Sequence, residues 1–294
     1  MNSRALRQTS RKPTTSMHNL REELLALYRA APEAEEYFTF PVFFAVLCEK
    51  HGLEREGSAP SAETRAGLLA DARLLLSGYP WQYLLGECDF YSRVFACREE
   101  VLIPREETEL LVREAIRLLP EDGVFYDFCT GSGCIAVSVL CEKPGAVGVA
   151  VDVSEAALSL ARENAARHGV LDRLLTRRRD LLTEPGGAKA FDLLLMNPPY
   201  IRTDVVDTLS KNVSREPRLA LDGGADGLVF YRRVLSRLSS YVKEGGSALF
   251  EIGFDQGADI LRLAKAYGYE GELLQDAEKR DRILKITLAK CRNI

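Results

Sequence analysis

The chain has 294 residues, of which 46% are apolar and 28% charged, and its formal net charge is −4. That length allows a large core and two domains, and the composition is that of an ordinary globular protein. The negative balance argues against a nucleic-acid binder, whose affinity rests on phosphate contacts, and no apolar run reaches the 18 residues of a membrane-spanning helix.

Residues 1–16, MNSRALRQTSRKPTTS, carry four basic residues and no acid. A transit peptide can have this composition. The simpler reading is a disordered leader over 1–17, with translation starting at Met17, and no apolar stretch follows that would direct secretion. From 18 to 86 the pattern is helical. Leu20, Leu24, Leu25 and Leu27–Tyr28 recur at helical spacing, FPVFFAVLCEKHG forms a second helix closed by Gly52, and SAETRAGLLADARLLLSG runs from an N-cap at Ser61 to a stop at Gly78. Trp81 and Tyr83 read as packing residues. Residues 87–104 alternate apolar and polar around Phe90, Val94 and Phe95, which predicts a β-hairpin linker.

Beyond 105 strands and helices alternate. Strands are expected at 124–128, 146–152, 174–179, 191–196, 247–252 and 282–288. Helices are expected at 133–141 and at 155–168, the latter capped by Ser154 and ended by Gly169. Short apolar strands alternating with helices predict an α/β domain over 105–294, built on a doubly wound, mostly parallel sheet.

Seven cysteines (48, 88, 97, 129, 134, 141, 291) form no C-x-x-C pair. Neither a disulfide framework nor a metal site is expected, and the reducing cytoplasm is the expected location. The three histidines, 18, 51 and 168, fall near predicted helix ends and carry no assigned chemistry.

Strand 124–128 runs into CTGSGCIA, where Gly131 and Gly133 permit a tight turn and the next helix points its N-terminus at a ligand. Asp152, 21 residues after Gly131, ends the next strand, where a carboxylate can bind both hydroxyls of a ribose. Gly131-x-Gly133-x-x-Ala136 with Asp152 also fits a dinucleotide fingerprint. Charge favours S-adenosylmethionine over NAD: Asp127, just before the turn, would repel a pyrophosphate and suit a sulfonium and an ammonium. Asp180, beyond a third strand, can receive an adenine amino group, and Leu181 can cover the ring.

The fourth strand ends in Asn197-Pro198-Pro199-Tyr200. Proline cannot donate to a sheet ladder, so the pair stops the strand with a stiff corner. An amide or aniline nitrogen shares its lone pair with its π system. To attack a methyl group it must turn pyramidal and gain positive charge. Two acceptors aimed at its N–H groups favour that change. The Asn197 side-chain oxygen and the Pro198 carbonyl can serve, and Tyr200 can stack on the flat group. No side-chain base is needed before attack.

With these residues in hand, the chain resembles the HemK/PrmC family, the peptide-chain-release-factor glutamine N5-methyltransferases. The matching segments include WQYLLGECDFY (81–91), LIPREETELLV (102–112), DFCTGSGCIAVS (127–138), AVDVSEAALSLARENA (150–165), NPPYI (197–201), EPRLALDGGADGL (216–228) and FEIGFDQG (250–257). N-P-P-Y with a glycine turn is shared with adenine-N6 methyltransferases. Segments 81–91, 102–112 and 216–228 are more particular to the glutamine enzymes.

The resemblance implies a Rossmann-like class I methyltransferase with a seven-stranded sheet, transferring methyl from S-adenosylmethionine to the glutamine of a Gly-Gly-Gln motif in release factors. It implies that Cys129, Thr130, Gly131, Ser132, Gly133, Asp152, Asp180, Leu181 and Asn197 contact the cofactor. Asn197, Pro198, Pro199 and Tyr200 would hold the substrate, the helical domain would help grip the release factor, and EPRLAL would lie near the substrate mouth. Two departures stand out: Glu106 where the family usually has proline, and Cys129 where glycine is common. The rival readings are an adenine-N6 or ribosomal-protein glutamine methyltransferase, an NAD-dependent oxidoreductase, and a binding-only module.

Overall fold

A computed structural model describes residues 17–183 and 190–289. Residues 1–16 of the expected leader, and Cys291, lie outside the described residues. The chain divides into two compact units, the first ending at Leu85 and the second beginning at Gly86.

The first unit is helical: α1 (Met17–Arg29), α2 (Phe40–Lys50), α3 (Ala62–Leu76) and the short α4 (Trp81–Leu85). Met17, Leu20, Leu24 and Tyr28 bury one stripe of α1, the three-to-four spacing of an amphipathic helix. Met17, assigned above to the leader, is thus part of the core. The Ser61 hydroxyl caps α3 by accepting from the Thr64 N–H at 3.1 Å. Phe38 stacks on Phe43 with centroids 5.5 Å apart, and the Tyr28 hydroxyl donates to the Phe38 carbonyl at 2.8 Å. Trp81 and Leu84 pack into this core.

The second unit opens with the hairpin of β1 (Glu87–Phe90) and β2 (Arg93–Ala96). Tyr91 and Ser92 at its tip both have positive φ, 49° and 57°, which matches a two-residue turn to the strand twist. The hairpin does not serve as a free linker. It is docked on the α/β domain by Asn164, whose side chain accepts from the Ala96 N–H at 2.8 Å and donates to the Ser132 carbonyl at 2.9 Å.

After the hairpin come α5 (Glu109–Leu118), β3 (Val124–Phe128), α6 (Cys134–Glu142), β4 (Val147–Asp152), α7 (Glu155–Arg167), β5 (Leu174–Arg178), β6 (Phe191–Met196), α8 (Thr203–Val206), α9 (Val229–Leu235), α10 (Leu238–Tyr241), β7 (Val242–Glu251), α11 (Gly257–Ala266), β8 (Gly271–Gln275) and β9 (Asp281–Thr287). One seven-stranded sheet results, in the order β5-β4-β3-β6-β7-β9-β8. The first five are parallel neighbours, and β9 alone runs against the rest. Central strands β3 and β6 are buried on both faces, hence their near-continuous apolar sequences.

Two elements depart from expectation. β7 begins at Val242, ahead of the expected 247, because Gly245–Gly246 sits in a bulge between the pairs Phe191–Val242 and Leu193–Ser247. β8 lies at the sheet edge, where only part of each residue is covered.

Candidate active site

Strand order reverses between β3 and β6, whose chain-order neighbours lie on opposite sides, and such a switch point opens a crevice at the carboxyl ends of the strands. A cleft of about 260 Å³ occupies that place. Its floor is the glycine turn after β3 and the end of β4. Asp180–Leu182 closes one side, and Asn197 and Pro199 the other. Segments 100–105 and 217–220 wall it.

The turn is tight because Cys129, Gly131 and Gly133 all have left-handed φ, 58°, 54° and 77°. At Gly133 a Cβ would meet the Ala161 Cβ at 2.8 Å, so glycine is what lets α6 pack on α7. Cys129 accepts the same backbone region with a side chain, and burial holds its thiol protonated, well above the usual cysteine range.

The loop amides are already committed. The Thr130 N–H donates to the Val151 carbonyl at 3.1 Å and the Gly133 N–H to the Thr130 carbonyl at 2.9 Å. The Gly131 N–H donates to Asp152 Oδ2 at 3.0 Å. None of these three is offered to a phosphate. Asp152 Oδ1 accepts from the Ser154 N–H at 2.9 Å. Its two oxygens are therefore fixed, with lone pairs left for a diol. The donor set fits S-adenosylmethionine, which brings ribose hydroxyls and no phosphate, better than NAD.

Asp127 does not face the cleft as expected. It lies wholly buried beneath the turn, with Oδ2 accepting from the Thr130 hydroxyl at 2.6 Å. Burial, the dominant influence, pushes its carboxyl up to about 7, against lowering by the Thr130 hydroxyl and the Ala136 N–H. Asp127 is absent from the cleft lining and braces the loop through Thr130. The folded state then holds a proton that the unfolded chain releases near its ordinary value, so this group's contribution to stability falls as pH rises from about 4 through 7. Thermal midpoints measured from pH 5 to 8 should show Asp127→Asn gaining on the parent as pH rises; a constant difference would exclude this account.

Asp180 stands two residues past β5. Its oxygens accept from the Leu182 N–H at 2.9 Å and the Thr183 hydroxyl at 3.0 Å, which fixes the carboxylate at the cleft edge. Leu181 is buried beside it and Phe230 of α9 also lines the cleft. Phe230 went unremarked in the sequence, where it sits in an unexceptional helix.

The Asn197–Tyr200 corner is held from behind. A parallel bridge pairs Ile201 with Asp222: the Ile201 N–H donates to the Leu221 carbonyl at 3.0 Å, and the Gly223 N–H to the Ile201 carbonyl at 2.7 Å. Gln256 Nε2 donates to the Tyr200 carbonyl at 3.0 Å. A Cβ on Gly223 would fall 2.7 Å from the Pro199 carbonyl oxygen. Asn197 and Pro199 line the cleft, while Pro198 between them is buried and the half-buried Tyr200 packs against the core. Asn197 Nδ2 donates to the Thr108 hydroxyl at 3.2 Å.

Arg105 has no role in the sequence reading, and Glu216 enters it only as the first residue of EPRLAL. Glu216, 5% exposed, accepts from the Ile103 N–H at 3.0 Å and forms an ion pair with Arg105. This contact ties the two cleft walls together. Removing one partner strands the other, so Glu216→Ala should destabilise the protein by about 2–4 kcal/mol, the half-exposed Arg105 keeping it below the full cost of breaking a buried pair. A denaturant midpoint unchanged from the parent would show that the walls stand without the pair.

A doubly wound sheet of this order, with an Asp-held glycine turn at its switch point, defines a class I α/β methyltransferase. Residues 106–232 match the family model described as "Methyltransferase small domain". The chain is 43% identical over 231 residues to a release factor glutamine methyltransferase of Moorella thermoacetica, covering 77% of this chain and 81% of that one. It is 40% identical over 209 residues to the Caulobacter vibrioides protein of the same name, covering 70% and 72%. A solved release-factor-specific protein-(glutamine-N5) methyltransferase from Alicyclobacillus acidocaldarius aligns over 64% of this chain and 94% of that one, at 28% identity and a TM-score of 0.39. The chain belongs to the release factor glutamine methyltransferase family.

Proposed function

We propose that this chain transfers a methyl group from S-adenosylmethionine to the side-chain amide nitrogen of the glutamine in the Gly-Gly-Gln motif of peptide chain release factors, and that it does so in the cytoplasm. The observation that carries the reading is the placement of Asn197, held at the end of β6 and lining the same cleft as the fixed Asp152 carboxylate. Among the described residues no helix is long and apolar enough to cross a membrane.

S-adenosylmethionine, when bound, supplies an electrophilic methyl group. Asp152 would take its ribose hydroxyls. Cys129–Gly133 would shape the floor beneath it, and Asp180 and Leu181 would bound the adenine. Asn197 Oδ1 accepts one N–H of the substrate amide and the Pro198 carbonyl the other, which draws the nitrogen lone pair out of conjugation. Pro198 and Pro199 lock φ and so hold the Pro198 carbonyl in a fixed direction before substrate arrives. Tyr200 bounds the corner where the flat amide enters. The methylated amide is cationic and gives up its proton to water, so no residue need act as base first. The helical unit helps grip the release factor.

The deciding experiment offers labelled S-adenosylmethionine with release factor, its Gly-Gly-Ala variant, or an oligonucleotide. Label is expected on intact release factor alone. Label on nucleic acid, or equal label on the Gly-Gly-Ala variant, overturns the assignment.

A further inference from the structure

The Asn197 amide can serve as an acceptor only if its oxygen, and not its NH₂ group, faces the cleft. An amide has two orientations that differ little in shape, so something must choose between them. The corner itself does not. Behind Asn197 stand two buried residues outside the N-P-P-Y motif, Thr108 and Glu251.

Met196 pairs with Phe250 across the parallel strands β6 and β7. The next residues, Asn197 and Glu251, therefore end neighbouring strands side by side. Thr108, at the N-terminus of α5 and 2% exposed, stands between them: its hydroxyl accepts from Asn197 Nδ2 at 3.2 Å and is near enough to the Glu251 carboxylate to favour its charged form. Glu251 is itself 2% exposed, and its Oε2 has no hydrogen-bond partner.

We infer that Thr108 and Glu251 are positioning residues for methyl transfer, fixing the Asn197 amide with its oxygen toward the cleft. This inference rests on the function proposed above. A hydroxyl has one proton. While Glu251 is ionised, that proton is committed to the carboxylate, and Thr108 can only accept from Asn197. The amide must then turn its nitrogen to Thr108 and its oxygen to the substrate. A flipped amide would set oxygen against oxygen behind and N–H against N–H in front.

The groups facing Glu251 decide when it is ionised. Glu107, Arg105 and Thr108 approach from the segment leading into α5, Arg282 from β9, Tyr200 from the corner and Tyr231 from α9. Burial, partly opposed by the Thr108 hydroxyl and by the two arginines, pushes the carboxyl up to about 7. Below that pH a protonated Glu251 can donate to Thr108, whose own proton is then free to meet Asn197 Oδ1, and the orientation is lost.

Three variants test this. Thr108→Val removes the hydroxyl, Thr108→Ser keeps it, and Glu251→Gln removes the charge with little change of shape. Glu251→Gln should fold well, since it relieves an ionised group of its burial. Thr108→Val and Glu251→Gln should each lower kcat by about ten-fold or more, the scale of one hydrogen bond, with KM for release factor within about two-fold of the parent. Thr108→Ser should recover most of what Thr108→Val loses. The parent's kcat should fall as pH drops below about 7, and Glu251→Gln should lack that limb. The ligand-free protein, labelled on asparagine nitrogen, gives a readout independent of activity: the Asn197 side-chain amide should show one pair of NMR signals in the parent and shifted or doubled signals in Glu251→Gln. Both variants within two-fold of the parent in kcat, or an Asn197 signal indifferent to Glu251→Gln, would overturn the inference. Should the parent fail to methylate release factor, the proposed function falls and the amide signals alone decide the orientation.

Discussion

Replacing Asn197 with alanine is expected to lower kcat by about 100-fold or more, the usual effect of deleting one preorganised electrostatic group at a developing charge. The cofactor dissociation constant should stay within about five-fold of the parent, because Asp152 and the glycine turn are held by backbone contacts independent of Asn197. The variant leaves the corner standing: its position is set by the Ile201–Asp222 bridge and by Gln256, not by the deleted amide. Calorimetric titration with S-adenosylhomocysteine and single-turnover methylation separate the two quantities. Turnover within a few-fold of the parent would mean that another group orients the substrate amide.

Gly227→Ala should be nearly as damaging, without touching the cleft. Gly227 has φ of 72°, and a methyl group there would be driven into the Tyr200 carbonyl oxygen and within 2.7 Å of Gln256 Nε2. The Tyr200 carbonyl is also the acceptor for Gln256. The corner must therefore shift or lose its brace. Strain and overpacking together should cost about 2–4 kcal/mol of stability, and the displaced corner should lower kcat further at temperatures where the protein is still folded. Gly224→Ala is the control. Its φ is 88°, but a Cβ there would meet nothing closer than Val229 Cβ at 3.4 Å, so only the backbone penalty of about 1 kcal/mol applies. Equal losses in the two variants would show that the contact with Tyr200 is immaterial.

Much of this architecture is legible before any coordinates. The short apolar strands VFYDF and FDLLLM, the caps at Ser61 and Ser154, and the order glycine turn, Asp152, Asn197 follow from local rules that the fold obeys. Strand β8 leaves little trace, because GELLQ is an edge segment with no strongly buried face. The first half of β7, VKEGG, lies ahead of the expected strand, and it joins the sheet only through a bulge that its glycines make possible. Asp127 shows the deeper limit. Sequence places it at the end of a strand beside the loop, but which way it points depends on helices covering both faces of the sheet. Glu216, Thr108 and Glu251 are invisible for a related reason. Each acquires its meaning from a partner far away in the chain, as in the contact between Ile103 and Glu216.

The turn after β3 satisfies its own amides with acceptors of the protein itself. A seat held by the protein's own hydrogen bonds has little disorder to surrender when it is filled, so cofactor loading should be a single fast event with no later rearrangement. Stopped-flow traces of S-adenosylhomocysteine association should accordingly fit one exponential whose rate climbs linearly with concentration, and the slower, selective encounter should be the one with the release factor.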